Sequence, residues 1–201
     1  MSGPGPSPLP SAVRLDDADG MRVESPPNQP TGQPAGHAYT RVDGGPLEIR
    51  GLRPADFADV LRLHDDASER SLRLRFFSAS RHNAHEYVSH LIRPPDPGHG
   101  GVVALVDGHV VGTAAYELVS PGAAEIAVLV ADRWQHDGVG TLMLRELAAA
   151  ARANGVRTFV ADVLADNGDM IHLMQHLGLP VTMRAESGVV RVTCDLEGTE
   201  A

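Results

Sequence analysis

The sequence predicts a mixed fold of the α/β (α+β) class, in which helices pack on both faces of a mostly antiparallel sheet of about seven strands. Two observations predict the sheet. Residues 102–106 and 109–116 are apolar runs separated by an Asp-Gly pair, which is typical of a two-residue hairpin turn. Residues 124–130 and 156–164 are apolar runs separated by a helical pattern. A strand reached through such a crossover helix lies parallel to the strand before it.

The remaining elements follow from periodicity and from residues that end helices. Apolar residues that recur at intervals of three and four positions indicate helices, and glycines at 155 and 178 are typical helix ends. The predicted strands span residues 47–50, 102–106, 109–116, 124–130, 156–164, 181–184 and 189–195. The predicted helices span residues 57–64, 72–77, 84–91, 141–153 and 167–177.

The N-terminal segment differs in composition from the rest of the chain. Residues 1–45 contain eight prolines and seven glycines and have almost no apolar periodicity. Such a segment cannot bury enough apolar surface to offset its ordering entropy, and it is therefore predicted to be a disordered arm. The folded domain is predicted at residues 46–197, with a flexible tail at 198–201. We expect that removing residues 1–45 leaves folding and turnover nearly intact.

Composition narrows the class of protein. A chain of 201 residues with 42% hydrophobic content can form one good core. Its net charge of -9 and its dispersed basic residues argue against a nucleic-acid partner. The sequence shows no signal-peptide pattern and no apolar run of membrane-spanning length, and its single cysteine, Cys194, cannot form an intrachain disulfide. We expect a cytoplasmic protein without a membrane partner.

A glycine-containing loop is the strongest functional signal. Residues 135–140 read Gln-His-Asp-Gly-Val-Gly, between an apolar strand and an alanine-rich helix. In this order the free N–H groups of the first helical turn point at one place, where the helix dipole also favours an anion. We therefore expect a phosphate group at this loop. Its spacing matches neither a dinucleotide-binding fingerprint nor a P-loop.

The pattern Gln-x-x-Gly-x-Gly resembles the pyrophosphate loop of the GNAT superfamily of acyl-CoA-dependent N-acetyltransferases. Further matching segments lie at residues 68–71, 74–77, 124–130 and 163–167. Together they resemble the bacterial protein-lysine acetyltransferase branch, whose members are often fused to acyl-CoA synthetase or nucleotide-sensing domains. The resemblance covers about residues 47–196 and implies a GNAT fold, in which two parallel strands splay apart and acetyl-CoA lies between them.

The resemblance also implies the residues that contact acetyl-CoA. In the family, a bulge in the strand before the loop frees a backbone N–H for the acyl carbonyl, and by position this donor is Leu129 or a neighbour. Asp137 would have to point outward, because an aspartate beside a pyrophosphate weakens binding. Asn167 is expected either to bind the pantetheine or only to cap its helix. The expected contacts are Val128, Leu129, Val130, Gln135, His136, Asp137, Gly138, Val139, Gly140, Thr141 and Asn167.

Glu125 is the predicted general base. A lysine amine has an ordinary pKa near 10.4, so attack on a thioester requires a group that removes its proton. Glu125 lies in an otherwise apolar strand, where burial would raise its pKa into a useful range. The resemblance gives the same role to the glutamate of the Ala-Glu strand motif. The alternatives are Glu117 as the base, or a Glu125 side chain that merely points into water.

Two further patterns limit the chemistry. Many GNAT enzymes use a tyrosine as general acid, but the matching positions here, counted from Asn167, hold Met170 and Met174. His172 and His176 have the spacing of a metal-binding pair, but the sequence offers no third ligand, and no metal is expected.

The predicted function is transfer of acetyl from acetyl-CoA to an amine. The favoured acceptor is a protein lysine, with an acyl-CoA synthetase as the first candidate protein. The alternatives are a small amine, such as an antibiotic or a polyamine, and a non-catalytic module that senses acyl-CoA. All 17 residues in the combined count of lysine and arginine are arginine, so the enzyme could not acetylate lysine side chains of its own. A GC-rich genome would produce the same composition.

Overall fold

The computed structural model describes residues 13–14, 36–41, 45–93 and 96–198. Most of the N-terminal arm and the tail at residues 199–201 lie outside the described residues. None of the helices in the described ranges is long and apolar enough to cross a membrane.

Nine strands in the described ranges form a single mixed sheet, with the order β1-β2-β3-β4-β5-β6-β7-β9-β8. Among them, only the pairs β1–β2 and β6–β7 are parallel. The mostly antiparallel sheet is thus confirmed, and all seven predicted strands are present. The strands are β1 Val13–Arg14, β2 His37–Thr40, β3 Pro46–Gly51, β4 His99–Val106, β5 His109–Ser120, β6 Ala123–Val130, β7 Thr158–Leu164, β8 Val181–Glu186 and β9 Val189–Asp195.

The described residues also form five α-helices, which match the predicted ones to within a few residues. They are α1 Phe57–Asp66, α2 Glu69–Phe76, α3 Arg81–Leu91, α4 Val139–Ala153 and α5 Gly168–Gln175. The largest differences are the starts of α2 and α3, which were predicted at residues 72 and 84 and lie three residues earlier. Ser68 is the N-cap of α2, and its hydroxyl accepts a hydrogen bond from the Ser71 N–H at 3.2 Å. This cap starts the helix three residues earlier.

The helices cover the two faces of the sheet unequally. On one face, α4 packs its apolar stripe against the buried strand residues Ile126 and Phe159. On the other face, Val60 of α1 and Val88 of α3 pack over β3 to β5. On that second face, the strand residues from β7 to β9 remain half-buried or exposed. They are Val160, Asp162, Thr182, Arg184, Arg191 and Thr193.

Strand β2 shows that the predicted start of the folded domain at residue 46 is wrong. It pairs antiparallel with β3, and Tyr39 is only 5% exposed. The Tyr39 hydroxyl donates to the Glu146 carboxylate of α4, and His37 Nδ1 lies 2.8 Å from the same carboxylate. Burial, and then this hydrogen bond, raise the pKa of Tyr39, so the phenol remains a donor. A four-residue strand held by tertiary contacts leaves almost no periodic signal in a segment rich in proline and glycine.

Removing residues 1–45 should lower the melting temperature more than removing residues 1–35. The longer deletion removes Tyr39, and loss of a buried aromatic side chain costs about 3–5 kcal/mol. It also leaves Glu146, which is 9% exposed, without its two partners from β2. Thermal unfolding of the two truncated proteins measures the difference. Equal melting temperatures would restore the predicted boundary at residue 46.

Candidate active site

Strands β6 and β7 separate after three paired residues. Their parallel register runs from Ala123↔Thr158 to Glu125↔Val160 and then stops. Beyond this point, among the described strands, β6 stays paired with β5 and β7 with β9. The two strands therefore splay apart, as the GNAT resemblance implied, and a cleft with a volume of about 390 Å³ lies between them.

The cleft passes through the sheet, and apolar side chains line it on both sides of the sheet. Val128 and Val130 of β6 face Leu173 of α5 on one side of the sheet. Leu74 of α2 and Phe77 line the opening on the other side. Such a channel suits a long, thin ligand with an apolar middle.

One end of the cleft is built to bind an anion. Helix α4 begins there, and its N-cap, Gly138, has a φ of 76°, a left-handed conformation that favours glycine. No side chain of the described chain caps this helix, so the N–H groups of its first turn remain available to a ligand. A Cβ at Gly140 would lie 3.3 Å from Leu173 of α5, so glycine permits the start of α4 to pack closely against α5.

The Gln135 side chain supports the loop from within. Its Nε2 donates to the Val130 carbonyl at 3.0 Å and to Ser71 Oγ at 3.2 Å. Ser71 Oγ in turn donates to Asp132 Oδ1 at 2.6 Å. Burial tends to raise the pKa of Asp132, but hydrogen bonds from Ser71 and Ser68 outweigh this effect and keep it below its usual range. The amide of Gln135 thus ties the loop to the end of β6 and to α2.

The other expected contacts divide into side chains at the cleft and side chains away from it. His136 and Asn167 line the cleft, whereas Asp137 is exposed and is not part of the lining. The Val139 side chain is fully buried in the core, so only its backbone can face a ligand. Asn167 Oδ1 accepts the Met170 N–H at 3.2 Å, which shows that Asn167 caps α5.

The bulge expected at residues 128–130 is absent from the described β5–β6 register. The two strands pair one to one from Gly112↔Val130 to Leu118↔Ala124, and the register shifts only between Leu118 and Ser120. The β6 edge is open for another reason, since β7 leaves it after Glu125. Alternate residues of a paired strand point their backbone groups to opposite edges, and the Ala131 N–H donates to the Val111 carbonyl of β5. The register therefore places the N–H groups of Val128 and Val130 on the open edge, whereas the backbone groups of Leu129, the donor expected from the sequence, face β5.

Glu125 stands at the last paired position, at the mouth of the cleft. The predicted burial of this side chain is wrong, because Glu125 is exposed on the face of the sheet where β7 to β9 are also accessible. Within the described part of the chain, its carboxylate has neither a hydrogen-bond partner nor an ion-pair partner. Both oxygens are therefore free to accept a proton from an incoming group.

Glu117, the alternative base, lies directly opposite Glu125 on β5. Its carboxylate is 3.0 Å from His90 Nε2 and accepts a hydrogen bond from Arg93 Nη2 at 3.1 Å. Burial tends to raise the pKa of Glu117, but these contacts with His90 and Arg93 lower it below its usual range. Because its oxygens are engaged, Glu117 is less suited than Glu125 to accept a proton.

The sequence interpretation missed the contribution of α2 to the cleft. Ser71, Leu74, Arg75 and Phe77 line it, together with Asp162 of β7. The contribution of Ser71 could have been predicted from Ser68. A serine at this position is a typical N-cap, and the start of α2 determines which of its residues lie on the same face of the helix. Asp162 carried no local signal, since only the pairing of β7 places it at the cleft.

His172 and His176 also line the cleft. In the described ranges, no group of three or more histidine, cysteine, aspartate or glutamate side chains is placed to hold a metal ion.

The cleft defines a class of protein. It joins an anion-binding helix end to an apolar channel, and the channel opens beside a carboxylate that can accept a proton. This arrangement fits an enzyme that transfers a group from a long, phosphate-bearing carrier to a proton-bearing acceptor.

The chain belongs to the acetyltransferase (GNAT) family, whose model matches residues 62–179. It is therefore an acetyl-CoA-dependent acyltransferase. The structure is similar to the GNAT domain of PAT from S. lividans, with a TM-score of 0.73 and 26% identity over 84% of this chain and 99% of that domain.

The chain is also similar to the acetyltransferase Pat of Mycolicibacterium smegmatis, with 38% identity over 73 residues. This match covers 36% of the chain and 22% of the relative, so the chain spans only a small part of that protein. A phosphinothricin acetyltransferase from Sinorhizobium meliloti, solved with acetyl-CoA, has the same fold, with a TM-score of 0.60 and 19% identity over 77% of this chain and 91% of the other.

Acetyl-CoA should raise the melting temperature of the protein, and Gly138→Asp should abolish this effect. The new carboxylate would stand at the anion-binding helix end, and we expect the affinity for acetyl-CoA to fall by at least about tenfold. Gly155→Asp is the matched control, because Gly155 has a φ of 82° and open space around it, away from the cleft. Calorimetry that gave both variants the same affinity would contradict the assignment of the loop.

Proposed function

We propose that this enzyme transfers the acetyl group of acetyl-CoA to the side-chain amine of a lysine on a folded protein. The observation that carries the proposal is the position of Glu125, whose free carboxylate lies at the mouth of the cleft on an open face of the sheet. Sites for small molecules usually enclose their ligand in a concavity. An open face instead leaves room for the surface that surrounds a protein lysine.

Charge on this face suits a cationic acceptor. Glu125 and Glu117 are cross-strand neighbours, and Asp162 lies on β7 on the other side of the cleft. His90 and Arg93 partly balance Glu117, and Arg191 binds Asp162 with two hydrogen bonds of 2.8 and 2.6 Å. Glu125 is thus the acidic group that remains free to attract a lysine ammonium.

The reaction can be assigned to residues around the cleft. Glu125 accepts a proton from the lysine ammonium, directly or through a water molecule, and the neutral amine then attacks the thioester carbon. The new C–N bond forms as the C–S bond breaks, and the thiolate leaves with the electron pair. A backbone N–H group on the open edge of β6, that of Val128 or Val130, stabilises the negative charge that develops on the carbonyl oxygen. Because Glu125 is exposed, it can release its proton to solvent.

Two other observations support a protein acceptor. The similarity to the GNAT domain of PAT extends over almost that whole domain, and the sequence motifs resemble the protein-lysine branch. The chain contains no lysine, so copies of the enzyme do not compete with the acceptor through lysine side chains of their own. A small amine is the second candidate, because the phosphinothricin acetyltransferase shares this fold.

Glu125→Gln should lower kcat on a lysine substrate by about 100-fold or more, the usual scale for a general base, and should leave acetyl-CoA affinity unchanged. The defect should become smaller at high pH, where more of the amine is already neutral. Glu117→Gln is the matched control and should retain most of the activity. Steady-state kinetics of both variants distinguish the two carboxylates, since a larger defect in Glu117→Gln would transfer the role to Glu117.

The acceptor can be identified by competition. The enzyme and acetyl-CoA are incubated with native and denatured acyl-CoA synthetase and with a mixture of polyamines and aminoglycosides, and the products are mapped by mass spectrometry. We expect acetylation of a lysine on the native synthetase to be preferred, since an open acidic face recognises a folded surface. Faster turnover of a small amine would favour the second candidate instead.

A further inference from the structure

The phosphate-binding end of the cleft is lined by histidines. His136 precedes the N-cap of α4, and His172 and His176 lie at the end of α5, and all three are exposed. Among the described residues that line the cleft, the one arginine is Arg75, and its guanidinium lies 4.3 Å from the centre of the Tyr87 ring, on the α2 side. Histidine is thus the cationic residue type available near the anion-binding helix end.

We call the three histidines the histidine ridge. His172 and His176 are one turn apart, with ring centres separated by 6.4 Å. His176 Nδ1 lies 2.7 Å from the His172 carbonyl, which leaves its Nε2 exposed to a ligand. Asp169 precedes His172 by one turn on α5, and its Oδ1 is 4.0 Å from His136 Nδ1. The ridge therefore runs from the loop along α5.

The ridge lies next to the start of α4. A Cβ at Gly140, in the first turn of α4, would be 3.3 Å from Leu173, the residue that follows His172. An anion at the free N–H groups of this turn would therefore lie beside the helix that carries His172 and His176, in the same cleft. In an enzyme that uses acetyl-CoA, the anions in question are the phosphate groups of that molecule.

We propose that His136, His172 and His176 bind the phosphate groups of acetyl-CoA, and that their protonation makes the affinity for acetyl-CoA depend on pH. Histidine is the side chain whose charge ordinarily changes between pH 5 and 8. In the neutral form, the imidazoles leave the carboxylate of Asp169, which also lines the cleft, uncompensated. In the protonated form, the ridge carries more positive than negative charge. Affinity therefore rises as pH falls.

Other charged groups near the ridge do not change their charge in this range. Arg41 and Arg133 lie over the Trp134 ring at 4.5 and 5.5 Å, and Asp166 is paired with Arg73. The ligand itself does change, because a phosphate monoester takes up a second proton near pH 6. The 3′-phosphate of acetyl-CoA would therefore oppose the effect of the histidines. Acetyl-3′-dephospho-CoA retains the pyrophosphate but lacks the 3′-phosphate, so the charge of this ligand does not change between pH 6 and 8.

The test measures the dissociation constant of acetyl-3′-dephospho-CoA by calorimetry at pH 6.0 and 8.0, with no acceptor present. The wild-type protein should bind about tenfold or more tightly at pH 6.0. A triple variant, His136→Asn, His172→Gln and His176→Gln, should bind with little pH dependence. Asparagine suits position 136, where φ is 67°, and glutamine preserves the helix at the exposed positions of α5.

Two controls isolate the ridge. His82→Gln replaces an exposed histidine on α3, which does not line the cleft, and should retain the wild-type pH dependence. S-acetylpantetheine, which has no phosphate group, should bind each protein with the same affinity at both pH values.

The proposal is overturned if the triple variant retains the full pH dependence, or if the ligand without phosphate shows it as well. Each single variant should lose part of the dependence, so the proposal remains testable even if the triple variant folds poorly. Because these measurements use no lysine substrate, their failure would not affect the assignment of a protein acceptor.

Discussion

The short pairing between β6 and β7 is the constraint on which the rest of the site depends. The two strands share three residue pairs, after which each follows its other neighbour, β5 or β9. A β-strand edge without a partner exposes backbone N–H and C=O groups that must find another partner or water. The same departure produces the apolar cleft and the free backbone edge of β6. Since α4 is the crossover between these strands, its N-terminus necessarily lies at the end of β6, where the cleft needs an anion-binding group.

The position of Glu125, the proposed base, follows from the same constraint. Glu125 is the last residue of β6 that pairs with β7, so its side chain stands where the cleft opens. It points to the face that carries α1 to α3, but these helices pack over β3 to β5 and leave β7 to β9 accessible. Glu117, one strand away on the same face, is already held by His90 and Arg93. Two carboxylates in adjacent positions thus differ in the one property that matters for a base, which is whether their oxygens are free.

The sequence predicted what depends on local patterns and missed what depends on tertiary packing. The hairpin at 107–108, the loop at 135–140 and all seven predicted strands follow from turn residues and periodicity, and the structure brings Glu125 and the loop to the same cleft. Strand β2 was missed because its four residues gain their stability from contacts with β3 and α4. The exposure of Glu125 was missed because an apolar strand suggests burial on both faces, whereas burial is decided by where the helices pack. The inward direction of the Gln135 side chain likewise depends on Ser71, which is distant in sequence.

The distribution of charge explains how one acidic protein could accommodate both acetyl-CoA and the cationic acceptor proposed above. A net charge of -9 repels a phosphate-bearing molecule and attracts a cationic one at long range. Screening limits such repulsion to about 8 Å at physiological ionic strength, so the groups in immediate contact decide whether acetyl-CoA binds. At the proposed phosphate end these groups would be the N–H groups of α4 and the histidine ridge, and Asp137 does not line the cleft. At the other end the free group is Glu125. The sheet therefore separates an anion-binding region from an acidic face, and the reacting atoms of the two substrates can meet in the gap between β6 and β7.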